Sequence, residues 1–178
     1  MKGKHILLGI SGSIAAYKSA FLIRLFTQLS AEVKVVMTKD AISFITPLTI
    51  ATLSKNPVIV EFTNEQESWN NHVELGLWAD VFIIAPASAN TIAKAAHGIC
   101  DNMLLAAYLS AKCPVFFAPA MDLDMWNHPS TKKNLEQLNS YGNTIIPVGT
   151  GGLASGLEGE GRMAEPAEIV EFIKRSFN

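Results

Sequence analysis

Short apolar runs alternate along this chain with longer segments in which apolar residues recur at helical spacing. The short runs predict strands buried on both faces, at residues 5–10, 33–37, 57–62, 81–85, 114–118 and 144–148. The longer segments predict helices at 13–29, 39–53, 88–97, 101–111, 129–140 and 166–176. This alternation, with right-handed crossovers, indicates a doubly wound parallel α/β sheet in a single domain, residues 1–178.

The composition narrows the function classes. The 178 residues are 49% hydrophobic and 17% charged, which is typical of an α/β protein with a buried sheet. A net charge of −2 without a block of like charge favours neither nucleic acid nor a membrane surface as a partner. No apolar stretch has the length of a membrane span. Cys100 and Cys113 suit neither a disulfide framework nor a metal site, so we expect a metal-free, cytoplasmic protein.

Polar and glycine-containing clusters follow four of the predicted strands, at 11–13, 38–46, 86–91 and 119–126. Ligands of an open α/β sheet collect at the carboxyl ends of its strands, so these clusters predict a binding rim. Ser11, Gly12 and Ser13 form a strand-to-helix turn that suits a phosphate, although the pattern is neither a dinucleotide fingerprint nor a P-loop. Small residues at such a turn also simply let a helix approach a strand.

The cluster at 86–91 contains more polar side chains than helix capping requires. One Ser, Thr, Asp or Asn is enough for an N-cap, whereas this turn holds Ser88, Asn90 and Thr91. Three uncharged polar groups suit a heteroaromatic or ribityl ligand. Thr38 and Phe44, after the second predicted strand, are candidates for similar contacts.

Among the histidines, His72 is the candidate for catalysis. Glu74 follows two residues later and lies on the same side if the segment is extended. A lone histidine is more often structural than catalytic, and Glu74 has an alternative role in capping a neighbouring element. The spacing leaves both interpretations open.

Residues 149–163 read "GTGGLASGLEGEGRM" and contain six glycines. This stretch is too long and too rich in glycine for an ordinary connection between elements. We expect a mobile, functional loop.

Seven motifs in a fixed order extend from about residue 5 to residue 170. Together they resemble the flavin-containing cysteine decarboxylases; they are "SGSIAAYK", "MTKDAISFI", "HVELGLWAD", "PASANTIAK", "GICDNML", "PAMDLDMW" and "GLEGEGRM". The resemblance implies a Rossmann-like flavoprotein fold. It further implies homotrimers, or dodecamers of trimers, with FMN at the subunit interfaces.

The resemblance also implies roles for individual residues. FMN would contact Ser11, Gly12, Ser13, Thr38, Phe44, Ser88, Ala89, Asn90, Thr91 and Ala120. The substrate would contact Met121, Asp122, Met125 and Trp126, and residues 149–163 would cover it. His72 matches the family's catalytic histidine.

The activity implied by the resemblance is FMN-dependent oxidative decarboxylation of a small molecule, 4′-phosphopantothenoylcysteine, to 4′-phosphopantetheine in coenzyme A biosynthesis. An α-carboxylate next to nitrogen cannot leave as CO₂ without an electron sink. Oxidation of the cysteine thiol to a thioaldehyde supplies that sink, with His72 assisting proton removal.

Two positions depart from the family pattern. Asp122 stands where the family has an asparagine, and an ionised carboxylate would repel a substrate carboxylate. Ser155 stands where the family has a cysteine that returns a proton at the end of the reaction. Glu158 is a plausible substitute acid, and we expect some oxidised product to accumulate.

Because Ser155 replaces the cysteine that returns the proton, an alternative function remains open. This alternative is a decarboxylase of C-terminal cysteines in peptides, which releases an enethiol and does not need that proton donor. A non-catalytic flavin-binding regulator is a third interpretation. The presence of His72 argues against it, because regulators of this kind have lost the histidine.

Overall fold

The computed structural model describes residues 1–63 and 68–176. Its main sheet has six parallel strands: β1 (His5–Ile10), β2 (Glu32–Met37), β3 (Val58–Ile59), β4 (Val81–Ala87), β5 (Val115–Pro119) and β6 (Thr144–Ile145). They lie in the order β3-β2-β1-β4-β5-β6. From β1 the chain adds strands toward one edge of the sheet, and from β4 it adds strands toward the other edge. The predicted doubly wound α/β fold is therefore confirmed, with its switch point between these two strands.

The described residues contain eight α-helices. They are α1 (Tyr17–Gln28), α2 (Pro47–Ser54), α3 (His72–Trp78), α4 (Ala89–Ala96), α5 (Met103–Ser110), α6 (Leu123–Asn127), α7 (Pro129–Ser140) and α8 (Pro166–Arg175). The helix predicted at 39–53 is divided into a 3₁₀ turn, Lys39–Ser43, and α2. The division occurs because Thr46 caps a new helix, accepting a hydrogen bond from the Thr49 amide, and Pro47 occupies its first turn.

Alternate residues of the central strands enter two separate cores. Ile6 and Leu8 face α1 and α8 on one side of the sheet, whereas Leu7 faces α4 and α5 on the other. Burial on both faces was predicted for every strand and holds for β1, β4 and β5. The edge strands β3 and β6 have only two residues each and are half-buried, because each has a neighbour on one side alone.

The glycine-rich stretch 149–163, expected to be a mobile, functional loop, forms an antiparallel hairpin. Its strands are β7 (Gly149–Gly152) and β8 (Glu158–Arg162), and they form a second, two-stranded sheet. The short helix α6, also absent from the prediction, packs against β8. None of the described helices is long and apolar enough to cross a membrane.

A buried ammonium group joins α1 to the segment before α8. The side chain of Lys18 is 4% exposed, and its Nζ donates to the Met163 carbonyl at 2.7 Å and to the Glu165 carboxylate at 2.8 Å. The hydrogen bond from Lys18 lowers the pKa of Glu165. Burial of this charge is tolerated because both bonds replace its water.

We expect Lys18→Met to lower the free energy of unfolding by about 1–3 kcal/mol, because it leaves the Met163 carbonyl without its donor. The loss is measured by urea denaturation. Since the pKa of Glu165 is lowered in the folded state, its share of the loss is present at neutral pH and disappears as the pH falls through that lowered pKa. Lys174→Met, at the exposed pair with Glu171, is the control and should change stability by less than about 0.5 kcal/mol. Equal effects of the two substitutions would contradict this account.

Candidate functional site

The hydroxyl of Ser11 connects the two strand ends at the switch point of the sheet. Its Oγ donates to the Pro86 carbonyl at 2.7 Å and accepts from the Ser88 amide at 2.8 Å, and the residue is fully buried. The side chain of Ser11 is therefore occupied within the protein. Its bonds place the turn after β1 beside the turn after β4, so Gly12 and Ser88 line one cavity.

This polar cavity, of about 210 Å³, collects five of the ten residues predicted to bind a cofactor. Its predicted members are Gly12, Thr38, Ser88, Asn90 and Thr91. Four of its charged side chains form two ion pairs, Lys39 with Glu61 and Lys94 with Asp101, whereas Asp40 forms no ion pair within the described residues. Apart from Asp40, the cavity offers neutral polar side chains to a ligand.

Thr38 provides a direct test of whether these residues fit a ligand. Its Oγ1 is buried and has no hydrogen-bond partner within the described part of the chain. A buried hydroxyl without a partner is unfavourable, so a ligand atom that bonds to it would stabilise both. Ser88, by contrast, uses its hydroxyl to cap α4 at the Thr91 amide.

A second cavity, of about 410 Å³ and mostly apolar in lining, lies on the other side of the turn after β1, residues 11–13, which we call the first turn. We call it the apolar cavity. Of the predicted residues, Ser13, Ala120, Met121 and Asp122 line it. The first turn therefore borders both cavities, because Gly12 lines one and Ser13 the other.

The β7–β8 hairpin forms one wall of the apolar cavity and is held against α6. The Met121 amide donates to the Gly161 carbonyl at 3.0 Å, and the Trp126 indole nitrogen donates to the Glu160 carboxylate at 3.0 Å. The approach is closest at Gly161, where a Cβ would lie 2.5 Å from the Met121 carbonyl oxygen. Gly161 is therefore required for this contact.

His72 lies at the start of α3, so the segment that contains His72 and Glu74 is helical and not extended. Asn71 caps the helix, because its side chain accepts from the amides of Val73 and Glu74 at 3.1 Å each. Residues two apart on a helix do not face each other, so Glu74 does not orient the imidazole. Among the described residues, the buried Nδ1 of His72 has no partner.

Two aromatic rings hold the His72 imidazole edge to face. The centroid of Trp69 lies 5.5 Å away and that of Phe62 lies 6.3 Å away. Phe62 also lines the polar cavity, so this ring connects the histidine to the cofactor residues. Phe62 was not among the predicted residues, because its role depends on a fold in which it meets the turn after β1.

Other predicted residues lie outside both cavities. Phe44 and Met125 are 48% and 49% exposed, and Ser155 and Glu158 lie on exposed parts of the hairpin. Ala89 occupies the first turn of α4, and Trp126 contacts the hairpin. The roles predicted for these residues stay predictions.

Arg162 and Lys18 line the apolar cavity and were missed as site residues. Both occur in motifs that the sequence displays, "GLEGEGRM" and "SGSIAAYK", but these motifs are 144 positions apart. Only the folded structure shows that Lys18 and Arg162 line the same cavity. Arg162 contacts Glu165 at 3.4 Å, and its side chain is 43% exposed.

Comparison with known proteins finds one family model, described as Flavoprotein, that matches residues 1–178. A protein of an unknown prokaryotic organism named Cysteine/Cysteine sulfinic acid decarboxylase is 62% identical over 135 residues, covering 75% of this chain and 38% of that protein. A Probable phosphopantothenoylcysteine decarboxylase of Streptococcus mutans is 44% identical, covering 96% of this chain and 97% of that one.

Among solved structures, a mutant PPC decarboxylase complexed with pantothenoylaminoethenethiol superposes with a TM-score of 0.87. It is 40% identical in sequence, and the match covers 99% of each chain. The resemblance read from the seven motifs is thereby confirmed. The chain spans only 38–45% of the length of four curated relatives, three of which are Coenzyme A biosynthesis bifunctional proteins.

We expect Gly161→Ala to release the hairpin from α6. Gly161 has φ +122°, and an added Cβ would lie 2.5 Å from the Met121 carbonyl oxygen, so alanine is excluded both by strain and by contact. The measurement is the rate of tryptic cleavage after Arg162, which should rise by about tenfold or more as local opening becomes easier. Gly152→Ala is the matched control, because a Cβ there meets nothing within 4 Å. The docked hairpin would be refuted if both variants were cleaved like the unchanged protein.

Proposed function

This chain belongs to the Flavoprotein family, and we propose that it uses FMN to decarboxylate a cysteine-containing substrate. Its leading candidate substrate is 4′-phosphopantothenoylcysteine, giving 4′-phosphopantetheine in coenzyme A biosynthesis. Relatives named for this decarboxylase activity support the proposal. The observation that carries it is the pair of cavities flanking the first turn, one polar and one mostly apolar.

The polar cavity fits the ribityl and phosphate parts of FMN. Thr38 would gain the partner its buried hydroxyl needs, and Gly12, Asn90 and the first turn of α4 would supply further contacts. Ser13 and Ala120, on the border of the apolar cavity, would contact the flavin ring. Phe44 would reach the cofactor only where a second copy covers it.

Bound FMN supplies a reversible two-electron acceptor for oxidation of the substrate thiol. We propose that His72 accepts the proton released in that step at a ring nitrogen. Met121, Asp122 and Trp126 would orient the substrate, and the hairpin would exclude water from it. Return of a proton to the product falls to Glu158 or Ser155, after a movement of the hairpin that brings one of them inward.

A second candidate substrate is free cysteine. The relative that is 62% identical over three quarters of this chain is named Cysteine/Cysteine sulfinic acid decarboxylase. The carboxylate of Asp122 in the apolar cavity also favours a substrate with a positively charged group near its carboxylate.

We propose that the protein works in the cytoplasm as a homotrimer or as an assembly of trimers. One exposed face at the start of α1 and the preceding turn presents Ile14, Tyr17 and Phe21, which are 61%, 50% and 58% exposed. Three large apolar side chains on one face are unfavourable in water and support burial against another copy. The free thiols of Cys100 and Cys113 are compatible with a reducing compartment.

His72→Asn should retain FMN and reduce CO₂ release by about a hundredfold or more, because asparagine preserves the start of α3 but cannot accept the proton. Flavin absorbance of the purified protein and release of labelled CO₂ measure the two properties separately. The control is His97→Asn at the exposed end of α4, which should keep both. Loss of FMN together with activity would make His72 a structural residue.

Phe21→Glu should convert the assembly to monomers by placing a charge in an apolar contact. Light scattering measures the mass, which we expect to be a multiple of three chains before the substitution. Phe44→Glu should reduce the amount of bound FMN, because Phe44 is proposed to contact the cofactor where a second copy covers it. A flavin-loaded monomer in the unchanged protein would contradict a site shared between copies.

A further inference from the structure

The carboxylate of Asp122 is an unused charge in the substrate region. Asp122 occupies the N-cap position of α6, yet its side chain makes no capping hydrogen bond. Nor does it form an ion pair or hydrogen bond with any side chain in the described ranges. It lines the apolar cavity instead. The residue is half-buried, so its carboxylate is accessible to a ligand in the cavity, and its charge favours a ligand that carries a positively charged group there.

Arg162 lies on β8, in the hairpin wall of the same cavity. The Met121 amide bonds to the Gly161 carbonyl, and Asp122 and Arg162 are the next residues along each segment. Within the described residues, the ion pair of the Arg162 guanidinium is the long contact with Glu165, whose carboxylate already accepts from Lys18 at 2.8 Å. One guanidinium that is loosely held and one free carboxylate therefore flank the cavity.

We infer that Asp122 and Arg162 recognise the α-ammonium and the α-carboxylate of an unacylated cysteine, so that the site decarboxylates free cysteine as well as N-acylated cysteine. The inference rests on the proposed decarboxylase function and assigns its second substrate to two residues. Arg162 pairs with the carboxylate in either substrate. Asp122 distinguishes them, because an ammonium gives it a charge-assisted bond and an amide N–H gives it a weaker, neutral one.

The thiol of free cysteine is oxidised and re-reduced in the same way as that of the larger substrate. In the net reaction the bond from the α-carbon to the carboxylate breaks, CO₂ leaves and the carbon takes one proton. The product is cysteamine, and no net oxidation occurs. Cysteine sulfinic acid has no thiol to oxidise and cannot use this route.

The test measures binding apart from turnover. S-methyl-cysteine and N-acetyl-S-methyl-cysteine carry no oxidisable thiol, and their affinities for the FMN-loaded protein are measured by calorimetry. We expect the free amine to bind about tenfold or more tightly, and Asp122→Asn to remove that preference. Arg162→Gln should weaken both ligands, and Arg162→Lys should restore part of the loss. Asp124→Asn, an exposed acid on α6, is the matched control and should leave the preference intact.

Turnover is then followed as CO₂ and cysteamine from free cysteine. The inference is overturned if the acetylated ligand binds as well as the free amine, or if Asp122→Asn leaves the ratio of affinities unchanged. Failure of the proposed function has a different signature. In that case the FMN-loaded protein would show the amine preference but release no CO₂ from free cysteine or from 4′-phosphopantothenoylcysteine.

Discussion

The two hydrogen bonds of the Ser11 hydroxyl are the constraint on which the rest of the site depends. They join the ends of β1 and β4 across 75 positions of sequence, at the point where the sheet reverses its winding. Because the bonds are buried, the turns that follow these strands are fixed relative to each other. The polar cavity on one side of the first turn and the apolar cavity on the other both result from that fixed separation. A serine that looks in sequence like a phosphate ligand is thus an internal connection.

The site is assembled from segments that stabilise one another. Lys18 leaves the α1 face and reaches the Met163 carbonyl beyond the hairpin, so the base of the hairpin is held to the main sheet. Within β8 the hairpin is bonded to α6 through Trp126 and Glu160. The hairpin is therefore a wall with two attachments, next to the segment that contains Asp122.

Sequence alone predicted the elements whose signal is local. The buried runs of β1 and β4 and the periodic α1 were evident, because burial and helical spacing are read from neighbouring positions. The hairpin was missed because its strands consist largely of glycine and carry no apolar alternation. The helix that begins at His72 was not predicted, because its seven residues give too short a periodic signal; its start is defined by the capping side chain of Asn71. The partners of Lys18 lie on a distant segment, so only the structure could supply Met163 and Glu165.

The contact between Trp126 and the hairpin has a spectroscopic consequence. The chain has three tryptophans, and each lies in a different electrostatic setting. Trp126 donates to Glu160 and has the Lys132 ammonium 3.9 Å from its ring centroid. Trp69 lies beside His72, and Trp78 stacks on His5 with the Lys34 ammonium 4.3 Å from its ring centroid. Charges near an indole shift its emission wavelength. Opening of the hairpin should therefore shift the emission of Trp126, while Trp69 and Trp78 serve as internal references. The molecule thus carries its own optical reporter of whether the cavity is open.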